Sequence, residues 1–352
     1  MRFYHPMEMS ASTSHESFEI SDTSQVGAAR RAAVKLAEDL GFDEVAKGRV
    51  ALIATELGNN LVRHAKQGRM LLGVVEGLNG KSVVELLSVD SGPGVADLEA
   101  CLVDGYSTGG TPGTGLGAVR RLSDEFDAFS TVPAGTVVLA RVAATTAAGS
   151  AFLSKPRSEF DVGAVALPAR GETVCGDAWS VVRDGRRLAL LVADGLGHGP
   201  FAREAAVAAV DEFENASFQG PSEVLGRVHE QLRSTRGAAV AVAQLDRDSN
   251  EFAFAGAGNI AGRLISGVVD RSLVSQHGTA GIQIRSLRDV SYPWTEHALL
   301  VMHSDGLTTR WSIEESKHLL QRHPSVIAAW LIRDHARGRD DVTVVVLRRS
   351  ER

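Results

Sequence analysis

The chain has 352 residues, more than one average hydrophobic core needs, and this length predicts two domains. Its hydrophobic content of 44% and charged content of 23% are those of an ordinary soluble globular protein, and the formal net charge of −6 argues against a general nucleic-acid binder. Two cysteines exclude a disulfide framework, and neither a membrane span nor a signal peptide is recognisable. We therefore expect a cytoplasmic protein without nucleic-acid or membrane partners.

The first half of the chain predicts helices grouped over one sheet. Residues 24–41 predict a helix that ends at Gly41, and residues 42–66 predict a second helix. Its apolar stripe consists of Val50, Ile53, Leu57 and Leu61. Strands at 69–77 and 82–90 follow, joined by the hairpin signal Asn79-Gly80. A glycine-rich loop, a helix near 116–125 and two further strands complete this half.

The second half is rich in strands and contains two predicted helix pairs, which suggests packed sheets covered by helices. A stretch of linker composition separates the halves. We expect a flexible tail at 1–16, a first domain at 17–145, a linker at 146–157 and a second domain at 158–352. The fold class is α/β with two domains.

Three polar residues of the second predicted helix, Glu56, Asn60 and His64, are spaced four apart and lie along one side of it. Asn60 and His64 are expected inside the apolar stripe, where a polar group is costly unless it is paired. Taken alone, His64 is better interpreted as a hydrogen-bonded core residue. Glycine-rich turns further along the chain favour a functional interpretation of Glu56 and Asn60.

The first of these turns ends a strand and consists of Asp90, Gly92 and Gly94. A carboxylate there can accept a hydrogen bond from an exocyclic amine such as that of adenine. The second turn opens a helix, where glycines let backbone amides approach phosphate oxygens. Its glycines are Gly113, Gly115 and Gly117. An amide side chain such as that of Asn60 suits a Mg²⁺ shell shared with phosphates, so the three pieces together predict a nucleotide site.

The sequences TELGNNLVRHA, VDSGPGV and GTGLGAVRRL resemble the three nucleotide boxes of the GHKL ATPases. DGYST and RLSDEFDAFS, on either side of the last box, are similar to the small switch kinases of the RsbT type. The resemblance implies a GHKL α/β sandwich that binds ATP with Mg²⁺. In it Asn60 would bind Mg²⁺, Asp90 would recognise adenine, and Glu56 would be the general base. The other residues implied in ATP binding are His64, Gly92, Gly94, Gly113, Gly115, Gly117 and Thr136.

Four aspartates stand at strand ends or in turns of the second half. They are Asp177, Asp194, Asp305 and Asp340. A single Asp-Gly is usually only a turn former, but carboxylates brought into one site repel each other and require cations. All-oxygen ligands suit Mg²⁺ or Mn²⁺, and two such ions can activate a water and neutralise a phosphoryl group.

The set GD, VADGLGHG, GAGN, SDG and DDVT resembles the SpoIIE-like branch of the metal-dependent serine/threonine phosphatases, of the RsbX type. The resemblance implies a PPM-type αββα sandwich with two Mn²⁺ or Mg²⁺ ions. It also implies that Asp177, Asp194, Asp305 and Asp340 bind metal and that Gly195 offers its backbone carbonyl. Asp341 is an alternative to Asp340, since spacing does not separate them.

The two motif sets together predict a bifunctional partner-switching enzyme. One half would phosphorylate a serine or threonine of a STAS-domain protein, either an anti-sigma antagonist or a stressosome scaffold, and the other half would remove the phosphate. A sigma factor and a downstream phosphatase are further candidate partners, and a homodimer is left open. The alternative is a nucleotide-dependent binding module fused to a catalytic phosphatase. Glu56 argues against that alternative, because pure binding needs no general base.

Overall fold

A computed structural model describes residues 8–11, 14–76, 82–102, 115–144, 159–266 and 269–350. The described residues group into two compact units. The N-terminal unit comprises those of His15–Arg157 together with Ile313–Arg333, and the C-terminal unit comprises the others. No helix in these ranges is long and apolar enough to cross a membrane.

The helices are α1 (Thr23–Asp39), α2 (Glu44–His64), α3 (Leu98–Cys101), α4 (Gly115–Leu122), α5 (Pro200–Ala216), α6 (Pro221–Gln231) and α7 (Pro324–His335). Two 3₁₀ segments are Leu232–Ser234 and Glu314–Gln321. The strands of the first part of the chain are β1 (Glu8–Ala11), β2 (Glu16–Glu19), β3 (Arg69–Glu76), β4 (Ser82–Asp90), β5 (Glu125–Thr131), β6 (Gly135–Ala143), β7 (Phe160–Leu167), β8 (Asp177–Asp184) and β9 (Arg187–Gly195). The remaining strands are β10 (Ala238–Asp246), β11 (Glu251–Ala257), β12 (Ala261–Ser266), β13 (Val269–Ser272), β14 (Gly278–Thr279), β15 (Gln283–Ile284), β16 (Val290–Pro293), β17 (Leu299–His303) and β18 (Val342–Arg349).

One face of the N-terminal sheet carries α1, α2 and α4. The sheet is antiparallel with strand order β2-β3-β4-β6-β5. Both long helices begin at an aspartate cap: Asp22 accepts from the amides of Ser24 and Gln25, and Asp43 accepts from Ala46. Alternate residues of β4 and β6 point to these helices and form the core, which fixes the strand register.

The predicted apolar stripe of α2 is confirmed, since its four residues are buried. The expectation that His64 lies within that stripe is wrong, because His64 is exposed in the last turn of α2. Asn60 is half-buried. The helix therefore turns its polar side out of the core, and His64 needs no buried partner.

The opposite face of the same sheet is covered by residues 313–333. Ser325, at the start of α7, accepts a hydrogen bond from Arg141 Nη2 at 2.9 Å and donates one to Glu85 Oε2 at 3.0 Å. The rings of Phe129 on β5 and Trp330 on α7 meet edge to face, with centroids 4.8 Å apart. Glu85 and Arg141 are buried, so this segment is part of the domain's interior.

The compact units differ from the predicted division at two places. Residues 313–333 fall inside the predicted second domain but pack with the first. Strand β1 falls inside the predicted flexible tail but pairs with β8 of the C-terminal unit. Both segments are joined to their units by long-range contacts that periodicity does not encode. The predicted linker at 146–157 and the Asn79-Gly80 turn lie outside the described residues.

The C-terminal unit contains two antiparallel sheets. One has the order β1-β8-β9-β10-β11-β16 and the other β13-β12-β17-β18-β7. A core between them draws on β8–β11 and on β7, β12, β17 and β18. A second core lies between the six-stranded sheet and the helices α5 and α6. Proline at the first helical position starts each of these helices after a glycine of positive φ. The predicted α/β fold class is confirmed.

Candidate functional sites

In the N-terminal unit, α2 and the start of α4 bring together residues from two of the predicted motifs. Glu56 and Asn60 are half-buried on α2. A Cβ atom added to Gly115 would lie 2.9 Å from Glu56 Oε2 and 3.8 Å from Asn60 Oδ1. Glycine at 115 therefore keeps open the space in front of both side chains. A carboxylate and an amide facing a helix N-terminus form a polar cradle that suits a phosphate–Mg²⁺ group.

Asp90 ends β4 and is followed by a tight turn. Its Oδ1 accepts a hydrogen bond from the Gly92 amide at 2.6 Å. Gly94 has a φ of +71°, and a Cβ there would lie only 2.2 Å from the Thr131 carbonyl oxygen. Only glycine fits this position, so the turn that orients Asp90 depends on it.

Thr136 on β6 lies directly opposite Asp90 on β4. Its hydroxyl is 2.9 Å from that of Ser130, which also donates to the Gly135 carbonyl. Burial raises the pKa of Asp90, while hydrogen bonds from Gly92 and Thr136 and the charges of Arg333 and His64 oppose that rise. The structure thus brings Asp90, Gly92 and Thr136 into one corner of the sheet.

The remaining residues predicted to bind nucleotide are Gly117, His64 and Gly113. Gly117 is buried inside α4. His64 is exposed, but it lies within electrostatic range of Asp90. Gly113 lies outside the described residues.

In the C-terminal unit, Asp177 and Asp194 face each other across two paired strands. Asp177 opens β8 and Asp194 stands near the end of β9, and the two are direct partners in the register. Gly195 follows, and its amide donates to the Gly176 carbonyl at 3.2 Å. The apolar strand runs therefore hold two carboxylates side by side at one end of the sheet.

The Asp177 carboxylate is almost fully buried but only half satisfied. Oδ2 accepts a hydrogen bond from Ser304 Oγ at 2.7 Å, whereas Oδ1 has no hydrogen-bond partner among the described residues. Ser304 Oγ accepts in turn from the Thr343 amide at 3.0 Å. A buried carboxylate oxygen without a partner is costly, and a bound cation would remove that cost.

Asp305 and the Asp340–Asp341 pair come from the second sheet. Asp305 follows β17, and its Oδ2 accepts from Asn259 Nδ2 at 2.6 Å. Asp340 is exposed, and its Oδ1 accepts from the Asp341 amide at 2.9 Å. Asp341 is buried, and its Oδ1 accepts from the Ala169 amide at 2.8 Å. The two neighbouring aspartates therefore have different surroundings.

Electrostatics show that these carboxylates share one neighbourhood. Burial, followed by the charges of Asp177, Asp305, Asp340 and Asp341, raises the pKa of Asp194 to about 9. Burial and the charges of Asp341 and Asp340 raise the pKa of Asp177 to about 7, against the lowering effect of the Ser304 hydroxyl. Such a group of acids holds its full charge only when cations offset the repulsion.

The donor set fits a divalent hard cation. All the candidate ligands offer oxygen, and two of their buried oxygen atoms, Asp177 Oδ1 and Asp341 Oδ2, have no hydrogen-bond partner among the described residues. No three His, Cys, Asp or Glu side chains in the described ranges stand close enough to hold an ion by themselves. Mg²⁺ usually keeps several waters and takes one or two carboxylates, so this partial protein shell agrees with such an ion.

Sequence reasoning missed two supporting residues at this site. Ser304 precedes the recognised SDG aspartate, and Arg203 on α5 donates from Nη1 to the Asp177 carbonyl oxygen at 2.9 Å. A serine beside a metal-binding aspartate could have been noticed as a supporting hydroxyl. Arg203 gives no such signal, because its contact depends on how α5 packs over the sheet.

Comparison with known proteins assigns both units. Residues 20–142 match the family described as "Histidine kinase-like ATPase domain", and residues 184–350 match "Stage II sporulation protein E (SpoIIE)". The serine/threonine-protein kinase RsbT of Bacillus subtilis (strain 168) is 35% identical over 113 residues, which cover 32% of this chain and 84% of RsbT. The chain belongs to the histidine kinase-like ATPase family of RsbT. The N-terminal unit is thus RsbT-like, as its nucleotide boxes predicted.

The second half is similar to a phosphatase. The phosphoserine phosphatase RsbX of Bacillus subtilis (strain 168) is 29% identical over 94 residues, which cover 27% of this chain and 47% of RsbX, about half its length. A solved structure described as "The bacterial stressosome: a modular system that has been adapted to control secondary messenger signaling" is 31% identical with a TM-score of 0.50. That match covers 54% of this chain and 100% of the other. The predicted fusion of an RsbT-like to a SpoIIE-like domain is confirmed.

Proposed function

We propose that the protein is a bifunctional switch enzyme that adds a phosphate to serine or threonine of a STAS-domain protein and removes it again. One observation carries the proposal: each compact unit gathers its own set of site residues, Glu56 and Asn60 beside Gly115 in one and Asp177 opposite Asp194 in the other. The likeness to RsbT and RsbX supports the choice of activities and of a stressosome-type or anti-sigma antagonist partner.

In the N-terminal unit, ATP would supply the phosphoryl group, with Mg²⁺ offsetting its charge. Asp90 would accept a hydrogen bond from the adenine amine, and Asn60 would hold the ion. Glu56 would accept the proton of the substrate hydroxyl as that oxygen bonds to phosphorus and ADP leaves. Its half-buried position beside Gly115 leaves room for a hydroxyl to approach.

In the C-terminal unit, two Mg²⁺ or Mn²⁺ ions would supply an activated water and neutralise the phosphoryl group. Asp177 and Asp194, at one end of the paired strands, would hold the ions together with Asp305 from the second sheet and the Gly195 carbonyl. Ser304 would fix the Asp177 carboxylate through its hydrogen bond. Hydrolysis would leave inorganic phosphate and the free hydroxyl of the partner.

The local geometry separates Asp340 from Asp341. Asp341 Oδ1 accepts from the Ala169 amide, and its buried Oδ2 lies close to Gly176 without a hydrogen-bond partner among the described residues, so we infer that Asp341 fastens the loop. The exposed Asp340 is free to face an ion together with its waters. Asp340→Asn should then weaken Mn²⁺ binding, measured by calorimetry, more than Asp341→Asn does, whereas Asp341→Asn should lower thermal stability more. The reverse order would assign the ligand role to Asp341.

Two variants separate the activities. Asp194→Asn removes the phosphatase, so that incubation with a STAS-domain partner and radiolabelled ATP reports the kinase alone. Glu56→Ala removes the kinase, so that the phosphorylated partner reports the phosphatase alone. The double variant is the control and should show neither activity.

The outcome decides between the proposal and its alternative. If the Asp194→Asn variant incorporates no phosphate but co-elutes with a sigma factor or antagonist in a nucleotide-dependent way, the first domain is a binding module. If the Glu56→Ala variant releases no phosphate in Mn²⁺, the phosphatase half of the proposal fails.

A further inference from the structure

The corner of the sheet that holds Asp90 contains a residue from the far end of the chain. Arg333 lies in the last turns of α7, within the range that matches SpoIIE rather than the ATPase family. Its Nη1 atom donates a hydrogen bond to the Asp90 carbonyl oxygen at 3.0 Å. The contact joins residues 243 positions apart in the chain.

Arg333 is held rigidly in that position. Its guanidinium stacks on the Trp330 ring, 3.4 Å from the centroid, and Trp330 packs against Phe129 of the sheet. Further back along the segment, the His323 amide and the Arg322 guanidinium contact the Asp127 carboxylate. Because the whole segment is anchored on β4–β6, Arg333 is a fixed part of the Asp90 corner.

The charge of Arg333 acts on the Asp90 side chain as well as on its backbone. Burial raises the pKa of Asp90, and Arg333 opposes that rise. The other groups that face Asp90 are the Gly92 amide in the turn, Thr136 on β6 and the titratable side chain His64 on α2. Adenine recognition needs the ionised, acceptor form of the carboxylate, so a nearby guanidinium favours binding.

We propose that Arg333 is a positioning residue of the nucleotide site, so that adenine recognition in the ATPase domain depends on a segment of the SpoIIE-like sequence. The inference rests on the proposed nucleotide-binding function and adds a residue to it. It also means that residues 15–144 alone are an incomplete nucleotide-binding domain.

The test compares three variants of the full chain by calorimetric titration with ADP and Mg²⁺ across the pH range in which Asp90 titrates. Arg333→Gln removes the charge, Arg333→Lys keeps it, and Arg322→Gln removes an arginine of the same segment that contacts Asp127 instead. We expect Arg333→Gln to weaken ADP binding about tenfold and to move the acid limb of the affinity profile to higher pH. Arg333→Lys should restore most of the affinity, and Arg322→Gln should resemble the unchanged protein. Repeating the series with His64→Gln removes the second titrating group.

Two results would overturn the inference. If the Arg333→Gln variant binds ADP as tightly as the Arg322→Gln variant does, Arg333 does not support the site. Equal losses in Arg333→Gln and Arg333→Lys, with an unshifted pH profile, would reduce Arg333 to a packing role. If the unchanged protein binds no adenine nucleotide at all, the proposed function fails first and this inference with it.

Discussion

Two Asp-Gly-rich turns of similar sequence end buried strands in the two units, and their surroundings are opposite. Asp90 is met by the Gly92 amide at 2.6 Å and by the charges of Arg333 and His64. Asp194 is met by four other carboxylates, which together with burial raise its pKa to about 9. The first turn surrounds its acid with a backbone donor and positive charge, whereas the second surrounds its acid with further acids.

This contrast extends beyond the two turns. In the N-terminal unit, burial works against the charge of Glu85, yet Arg141 and His15 lower its pKa to about 2. In the C-terminal unit, one Asp177 oxygen accepts from Ser304, and the other has no hydrogen-bond partner within the part of the chain that the structure describes. An aspartate at a strand end with glycines close behind it therefore does not specify its chemistry. The groups that the tertiary structure places around the carboxylate differ between the two turns, and the roles proposed for Asp90 and Asp194 rest on that difference.

The largest effect should follow from replacing Asp194, the acid that is surrounded by other carboxylates. Asp194→Asn should lower phosphate release by about a thousandfold, because it removes a ligand charge needed to hold the ions that stabilise the transition state. Release of phosphate from the phosphorylated partner in Mn²⁺ measures this. The same variant should bind ADP as tightly as the unchanged protein. Weakened ADP binding would show that the two acids do not act separately.

Removing the buried guanidinium of Arg141 should lower the stability of the N-terminal unit rather than its activity. Arg141→Met would leave the carboxylates of Glu85 and Glu125 without their guanidinium partner and should destabilise the N-terminal unit by about 3–5 kcal/mol. Urea unfolding, with hydrogen exchange of β4 and β6 amides, would locate the loss. Lys47→Met, which breaks a pair between the half-buried Lys47 and the exposed Glu44, is the control and should change little. Equal effects in both variants would contradict the compensation.

Sequence patterns predicted those features of the fold that depend on the local spacing of apolar and polar residues. They placed the α2 stripe in the core and set Asp177 and Asp194 at strand ends, where strand pairing makes them neighbours. They could not predict that 313–333 covers the second face of the N-terminal sheet, since Arg141 and Ser325 are 184 residues apart. His64 was misplaced because it stands in the last turn of α2. It lies seven residues after the buried Leu57 and only about 20° away from it around the helix, but periodicity does not tell where along a helix the buried part ends.

In the turn after β4, Asp90→Asn should weaken ADP binding by roughly ten- to a hundredfold. The amide is a poorer acceptor than the carboxylate and loses the charge-assisted hydrogen bond. Calorimetric titration of ADP with Mg²⁺ measures the change. Phosphate release by the C-terminal unit should stay the same, which is the reciprocal of the Asp194→Asn result. A variant that retains full ADP affinity would remove adenine recognition from this turn.

The smallest expected effect tests whether Asp177 needs the hydrogen bond from the Ser304 hydroxyl. Ser304→Ala removes the hydroxyl that holds Asp177 Oδ2 and accepts from the Thr343 amide. Loss of such a supporting contact should weaken Mn²⁺ affinity about tenfold. Ser217→Ala is the matched control, because Ser217 is also buried but donates to the Phe213 carbonyl on α5. If both variants bind Mn²⁺ equally well, the cation alone orients Asp177. If only Ser304→Ala binds Mn²⁺ more weakly, the geometry of the acid cluster depends on the hydrogen bond between Ser304 and Asp177.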